Sequence, residues 1–145
     1  MIQTFTYEQT PSQDQKQRWV DFLHEHLGDY TDDKPDILQC IHYALTPPPH
    51  PGGLVFTLRD KGVLIGLAVL NHTGMSGYIP EHILVYLAIH SDCRGKGWGT
   101  QLMEAIQAHT HGDLALHVEP HNPAKKLYEQ LGFTNKYLEM RWKRN

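Results

Sequence analysis

The sequence predicts an α+β domain of three layers, with a mixed, mostly antiparallel central sheet and helices on both faces. Three observations predict it. The elements read in the order β-α-α-β-β-β-α-β-α-β-β, a mixed order that suits neither an all-β sandwich nor a repeating βαβ unit. Residues 83–90 are apolar nearly throughout, as in a strand buried on both faces. Two strand-like runs between residues 54 and 72 flank Asp60-Lys61-Gly62, a hairpin turn signal. The chain has 145 residues, 40% hydrophobic and 20% charged. That length suffices for one domain, 1–145, with its own core and no need of disulfides or a structural metal.

Each element has its own signal. Residues 2–7 alternate Ile2, Thr4, Thr6 against Gln3, Phe5, Tyr7 and predict a short strand. Thr10-Pro11-Ser12 supplies a cap and an N1-type proline. Trp19, Phe22, Leu23 and His26/Leu27 follow at helical spacing, and Gly28 stops the helix. Asp36 is the expected cap of a second helix, with Ile37, Cys40, Ile41 and Ala44/Leu45 on one face. The stretch from Pro47 to Gly53 ends it. Strands are expected at 54–59 and 63–72, with a bulge at Gly66. A loop over 73–80 leads to the apolar strand 83–90. A glycine-rich turn opens a helix near 100–111, with Leu102, Met103, Ile106 and Gln107 facing inward. Residues 114–118 predict a strand, and Pro123 opens a helix closing at Leu131-Gly132. Phe133 and 137–143 are expected to complete an antiparallel pair.

Composition excludes several classes. The net charge is -3, which argues against a nucleic-acid binder working through a basic face. The longest apolar run, residues 63–70, is far short of the roughly 20 residues a membrane helix needs. The N-terminus has neither the basic nor the apolar region of a signal peptide. Only Cys40 and Cys93 occur, so a disulfide framework is not expected and a reducing cytoplasm fits. Residues 1–60 carry nine acids and four bases, and residues 61–145 seven acids and nine bases. An anionic ligand is therefore expected on the second part and a cationic one on the first.

The informative stretch is Arg94-Gly95-Lys96-Gly97-Trp98-Gly99-Thr100, between a buried strand and an amphipathic helix. Glycines let successive backbone N–H groups converge, and a helix start adds unpaired N–H groups and the positive end of its dipole. With Arg94 and Lys96 this makes a cradle for a phosphate or pyrophosphate. Neither a nucleotide-triphosphate loop (GxxxxGK[ST]) nor a dinucleotide fingerprint (GxGxxG) matches the spacing.

Downstream lies Asn122-Pro123-Ala124-Lys125-Lys126-Leu127-Tyr128-Glu129-Gln130-Leu131-Gly132-Phe133. With it, the chain resembles the GNAT family of N-acetyltransferases. The first family motif, an apolar strand end followed by [RQ]-x-x-G-x-[GA], matches Leu87-Ala88-Ile89 and the run from Arg94 to Gly99. The second, N-x-x-A-x-x-L/F-Y-x-x-x-G-F, is met by Asn122, Ala124, Leu127, Tyr128, Gly132 and Phe133, with one residue fewer than the motif between the asparagine and the alanine.

The resemblance implies an acyl-CoA N-acyltransferase fold and acetyl-CoA as cosubstrate, with no metal. It implies that the backbone of residues 94–99 and the helix start at Thr100 hold the pyrophosphate. It further implies that Leu87, Ala88 and Ile89 line the pantetheine arm, that the sheet splays between strands 83–90 and 114–118, and that Asn122 contacts the cofactor. An N–H from Ile89 would stabilise the oxyanion, and Tyr128 would protonate the departing thiolate. Many members carry a glutamate where Ile83 stands. Glu81, two residues earlier, is the first candidate for the base, with His82, His117 and Glu119 as alternatives.

The acidic residues Asp29, Asp32, Asp33 and Asp36 fall in a region that borders the family's acceptor site, so a cationic amine such as an amino sugar, a polyamine or a peptide amino terminus is expected there, and a small-molecule amine is the expected acceptor. A protein or peptide amine, or a non-catalytic acyl-CoA sensor, are the alternative readings. Neither nucleic acid nor membrane is an expected partner, and a homodimer is possible because small domains expose strand edges. Eleven histidines are present, but His24/His26 and His109/His111 are two apart on predicted helices, and His42, His50, His72 and His90 are scattered. His82, His117 and His121 fall near the expected slot. A deaminase reading of His117-Val118-Glu119-Pro120 fails, since both cysteines precede it.

Overall fold

The computed structural model describes residues 1–145. Strand β1 (Ile2–Phe5) pairs antiparallel with β2 (Gly53–Asp60), which pairs antiparallel with β3 (Val63–His72), and β3 does so with β4 (His82–Ile89). Strand β5 (Leu114–Leu116) lies parallel to β4, completing the order β1-β2-β3-β4-β5. The hairpin turn is Lys61-Gly62, both with positive φ (51° and 81°), the geometry that matches the twist of paired strands.

Period-2 alternation splits the core between the two faces. Helices α1 (Gln13–His26) and α2 (Lys34–Ala44) pack with Phe5, Val55, Leu67, Val69, Tyr86 and Ala88 on one face. Helices α3 (Trp98–His109) and α4 (Ala124–Gln130) pack with Phe56, Ala68, Leu70 and Leu84 on the other. The residues expected to face inward on α1 and α2 do so: Trp19, Phe22, Leu23, Ile37, Cys40, Ile41 and Ala44 are buried. On α3, Leu102, Met103 and Ile106 are buried, whereas Gln107 is exposed and reaches the Leu131 carbonyl.

Several expectations are corrected. Ser12 alone caps α1, accepting from the Gln15 N–H, and Pro11 stands before the cap rather than inside the helix. Helix α2 starts at Lys34 after Asp33, which leaves Asp36 in the first turn, where its charge favours the helix dipole. The β2–β3 bulge falls beside Gly66, at Ile65, because Leu58 pairs with Gly66 and Arg59 with Leu64. Strand β5 stops at Leu116, short of the expected 118.

No strands form after α4. Residues 133–145 carry no regular structure, and Tyr137, Leu138, Met140 and Trp142 are 79–90% exposed. The alternation there is real, but a strand needs a partner edge, and β5 offers only three paired residues. Local contacts take its place: Arg141 pairs with Glu139, and the Arg144 guanidinium stacks on Trp142.

At the start of β2, a Cβ placed on Gly53 would stand 1.9 Å from the Leu70 carbonyl oxygen. Gly53→Ala is therefore expected to lower unfolding free energy by about 1–3 kcal/mol. A denaturant midpoint unchanged from the parent would refute this.

Candidate acetyl-CoA and acceptor site

Strand β4 holds two edges with different fates. Its pairing with β3 runs its whole length, from His72↔His82 to Gly66↔Ile89. Its pairing with β5 ends at Leu84↔Leu116, so β4 runs on alone from Val85 to Ile89. His90 donates its N–H to the Ile65 carbonyl of β3. Backbone direction alternates along a strand, so Leu87 and Ile89 turn their N–H and C=O groups to the open edge, while Ala88 faces β3. The pairing of these strands thus ends partway along β4, where a splay is expected.

The glycine turn follows directly. After a 3-10 turn at Ser91–Cys93, Gly95 (φ 76°) and Gly97 (φ 85°) take left-handed conformations, and α3 begins at Trp98. A Cβ on either glycine would meet nothing within 4 Å, so backbone angle, rather than crowding, calls for glycine there. Gly99 differs: a Cβ would stand 3.1 Å from Leu127, so this glycine lets α3 approach α4. None of the backbone N–H groups from Arg94 through Thr100 has an acceptor within the protein. A row of unpaired N–H groups at a helix start, with open space above it, fits a pyrophosphate.

Side chains at the root of this turn differ from expectation. The Arg94 guanidinium turns back, donating to the His26 carbonyl at the end of α1 and to the Ile89 carbonyl at 3.4 Å. There it offsets the negative end of the α1 dipole, and Lys96 is left as the turn's free cation. His26 is 5% exposed, and its Nδ1 accepts from the Ser91 N–H at 3.2 Å and lies 3.0 Å from Ser91 Oγ. Its ring stacks on His90 at 4.1 Å. Burial, then the neighbouring His90, holds its pKa below the ordinary histidine value. This tie was not legible in the sequence, which offered only a histidine on a helix face.

On the opposite side, a bulge shapes the face that carries the acidic loop. Val69 pairs with Tyr86 and Leu70 with Leu84, leaving Val85 as the extra residue. Leu84 and Tyr86 would otherwise share a face, but Leu84 packs under α3 and Tyr86 under α1 and α2. Tyr86 thereby reaches the acidic loop, donating its hydroxyl to Asp32 Oδ2 at 2.6 Å. Burial, then this carboxylate, raises the Tyr86 pKa. Across the parting, the Tyr30 hydroxyl donates to the His121 carbonyl at 3.2 Å. Asp29, Asp32, Asp33 and Asp36 are all exposed. Beside the bulge lies a cavity of about 300 Å³ lined by Tyr43, Asn71, His72, Thr73, Met75, Ile83 and Val85.

The remaining candidates are distributed as follows. Tyr128 is 8% exposed in the α3–α4 core, edge-on to Phe133, and burial pushes its pKa up to about 12. Asn122 Oδ1 accepts from the Ala124 N–H, so it caps the start of α4 and keeps its amide N–H groups free. Glu81 precedes β4, and its carboxylate accepts from the Asp113 N–H at 3.1 Å, lying where a Cβ on Gly112 would stand. His82 is buried against His72. His117, Glu119 and His121 are exposed on the segment after β5. No three His, Cys, Asp or Glu residues are grouped to hold a metal ion, and no helix is long and apolar enough to cross a membrane.

The acetyltransferase (GNAT) domain model matches residues 51–135, more than half of the chain. The chain belongs to the GNAT family. It is an acetyl-CoA-dependent N-acetyltransferase. No curated protein matches it in sequence. Among solved structures, the fold is similar to that of aminoglycoside N-acetyltransferase AAC(6')-Iy in complex with CoA (TM-score 0.70, 17% identity, 99% of this chain and 93% of that one). It is also similar to the same enzyme with a bisubstrate analogue, CoA-S-monomethyl-acetylneamine (TM-score 0.67, 17% identity, 100% and 97%). A third is the ribosomal-protein-alanine N-acetyltransferase of Brucella melitensis biovar Abortus 2308 (TM-score 0.67, 15% identity, 99% of each chain).

Two outcomes follow from the His26 tie. His26→Ala removes the acceptor for the Ser91 N–H, so the KM for acetyl-CoA is expected to rise about tenfold, the worth of one hydrogen bond, with kcat little changed. The folded-state pKa of His26 lies below its unfolded value near 6.5, so the unfolded chain takes up the proton first. Its contribution to stability is present above pH 6.5 and is lost as pH falls below that. Melting midpoints between pH 7.5 and 5.5 should therefore drop less in His26→Ala than in the parent. An equal drop would refute it.

Proposed function

We propose that this GNAT enzyme acetylates a cationic amine of a small molecule by direct attack on the thioester, with Tyr128 as general acid. The observation that carries the substrate class is the fastening of residues 28–33 on both sides of the strand parting, through Tyr86 on β4 and His121 beyond β5. A loop tied at both sides favours a compact acceptor over an extended peptide. The carboxylates of Asp29, Asp32 and Asp33 on that loop favour a positive charge. Folds of this shape serve both an aminoglycoside and a ribosomal-protein acetyltransferase, so the fold alone leaves both acceptor types open.

Acetyl-CoA supplies the thioester carbon that the amine attacks. The N–H groups from Arg94 to Thr100, with the Lys96 charge, hold its pyrophosphate, and Trp98 and Gly99 set the start of α3 beneath it. Leu87 and Ile89 receive the pantetheine arm on the free edge of β4, as an added strand is received. Ala88 adds its side chain to the wall, since its backbone faces β3. The free amide of Asn122 donates near the slot. The Ile89 N–H is the donor for the oxyanion. With its pKa near 12, Tyr128 keeps its proton at neutral pH and hands it to the thiolate as the C–S bond breaks.

Removing that proton should slow turnover while leaving binding intact. Tyr128→Phe is expected to lower kcat about a hundredfold with the KM for acetyl-CoA unchanged. Full turnover by the variant, measured as released CoA thiol, would remove the acid role. For the acceptor, Asp33→Asn should raise the KM of a dicationic amine up to about fivefold at low salt and leave a neutral amine unaffected. Equal effects on both amines, or a peptide amino terminus outperforming every small amine, would count against the substrate class.

A further inference from the structure

We propose that the tail of this chain, residues 137–143, adds as an edge strand to β5 of a second copy, and that the second copy's tail does the same in return, closing a two-fold dimer. The pairing is independent of the acetyl-transfer chemistry. Within the tail, Leu138, Met140 and Trp142 alternate with Glu139, Arg141 and Lys143, the period of a strand with one apolar row and one charged row. No backbone N–H or C=O from 137 to 145 is bonded within the chain. Leu138, Met140, Trp142 and Tyr137 stand almost wholly in water. Unpaired main chain and large apolar side chains exposed together are what a strand shows before it meets its partner.

Strand β5 supplies the complementary surface. It pairs with β4 alone and ends the sheet, so its outer row of N–H and C=O groups is open. Leu114 and Leu116 are half-buried, and with Val118, Leu131 and Phe133 they form an incompletely covered rim of the α3–α4 core. An added strand with its apolar row turned to that side covers the rim. The other end strand, β1, adds only Ile2 to it.

Charge agrees with this placement. From residue 133 the tail carries Lys136, Arg141, Lys143 and Arg144 against Glu139. Asp113 and Glu119, both exposed, flank β5, and no Lys or Arg lies between them. Two basic tails repel each other, which favours tail on edge over tail on tail.

The occupant is a second copy rather than the chain's own tail. Phe133 fixes the root of the tail, donating its N–H to the Tyr128 carbonyl and packing edge-on to the Tyr128 ring. A short tether to that root gives the chain's own tail a high local concentration, and yet the folded chain leaves tail and edge apart. An edge of three residues is too short to hold one tail by main-chain bonds alone. A two-fold pair doubles those bonds and leaves no open edge at this end of the sheet. Four large side chains from each tail also leave water, on the order of 1,000 Å² in all, which is the size of a specific interface. The outer edge of β5 is turned away from β4, so the row at Leu87 and Ile89 stays open to acetyl-CoA.

Sedimentation of the full chain tests the pairing. Twice the chain mass of 16.7 kDa is expected at high concentration, with reversible dissociation on dilution. Leu138→Lys/Met140→Lys charges a row that is exposed in the single chain, so the melting midpoint should match that of the diluted parent. The dimer dissociation constant should rise about a hundredfold. Glu139→Gln, on the charged row, should leave it within about twofold. In the parent, amides of 137–143 should exchange slowly in the dimer and fast in the diluted monomer. A dimer of labelled with unlabelled chains should show intermolecular NOEs between residues 138–142 and 114–116. A parent that stays monomeric at every concentration overturns the proposal. So does a dimer that keeps its affinity in Leu138→Lys/Met140→Lys, or one whose intermolecular NOEs lie only on other surfaces. Tail amides that stay protected in the monomer overturn it too, because they mark pairing with the chain's own edge.

Discussion

Strand β4 is held along one edge and released along most of the other, and the site follows from that asymmetry. Backbone N–H and C=O groups left without partners must be met by water or by a ligand. Here β3 pairs with β4 from end to end apart from the extra Val85, while β5 pairs with the other edge only as far as Leu84. The free row, apart from the Ile89 carbonyl that Arg94 reaches, is thus made of main chain. The same strand delivers the chain to the glycine turn, so the free edge and the anion cradle are a few residues apart by construction. The core permits this because β4 is anchored from both faces, with Tyr86 and Ala88 in one cluster and Leu84, Leu87 and Ile89 in the other.

The bulge at Val85 is the second geometric device. A strand normally repeats its facing every two residues, and an extra residue reverses that sense. Because of it, Leu84 remains in the α3–α4 core while Tyr86 turns to α1 and α2 and meets Asp32. One added residue therefore converts a core position into the anchor of the acidic loop. The acidic loop is thereby tied to β4, the strand whose end leads into the N–H cradle.

Rigidity of the cradle comes from outside it. Within the turn, His90 accepts the Asp92 N–H and Arg94 reaches the Ile89 carbonyl. The turn is held from α1 as well, where the His26 ring receives the Ser91 N–H and the His26 carbonyl receives Arg94. Helix α1, packed on one face of the sheet, thus fixes the glycine turn at the end of β4.

What the sequence determined by itself is everything carried by local periodicity and backbone chemistry. The inward faces of α1, α2 and α3, the hairpin turn at Lys61-Gly62, the apolar β4 and the left-handed Gly95 and Gly97 all follow from residues near one another in the chain. The two family motifs were legible for the same reason, since each lies on one contiguous stretch. Tertiary structure decided the rest. The reach of β5, the extra residue at Val85, the inward turn of Arg94 and the unpaired tail after Phe133 each depend on which edge or helix end stands opposite. Local pattern cannot specify that. The histidines make the point most plainly: 11 in the sequence look scattered. Folding joins His26 to His90 and His72 to His82, pairs separated by 64 and 10 positions, because antiparallel pairing and helix docking bring distant residues together.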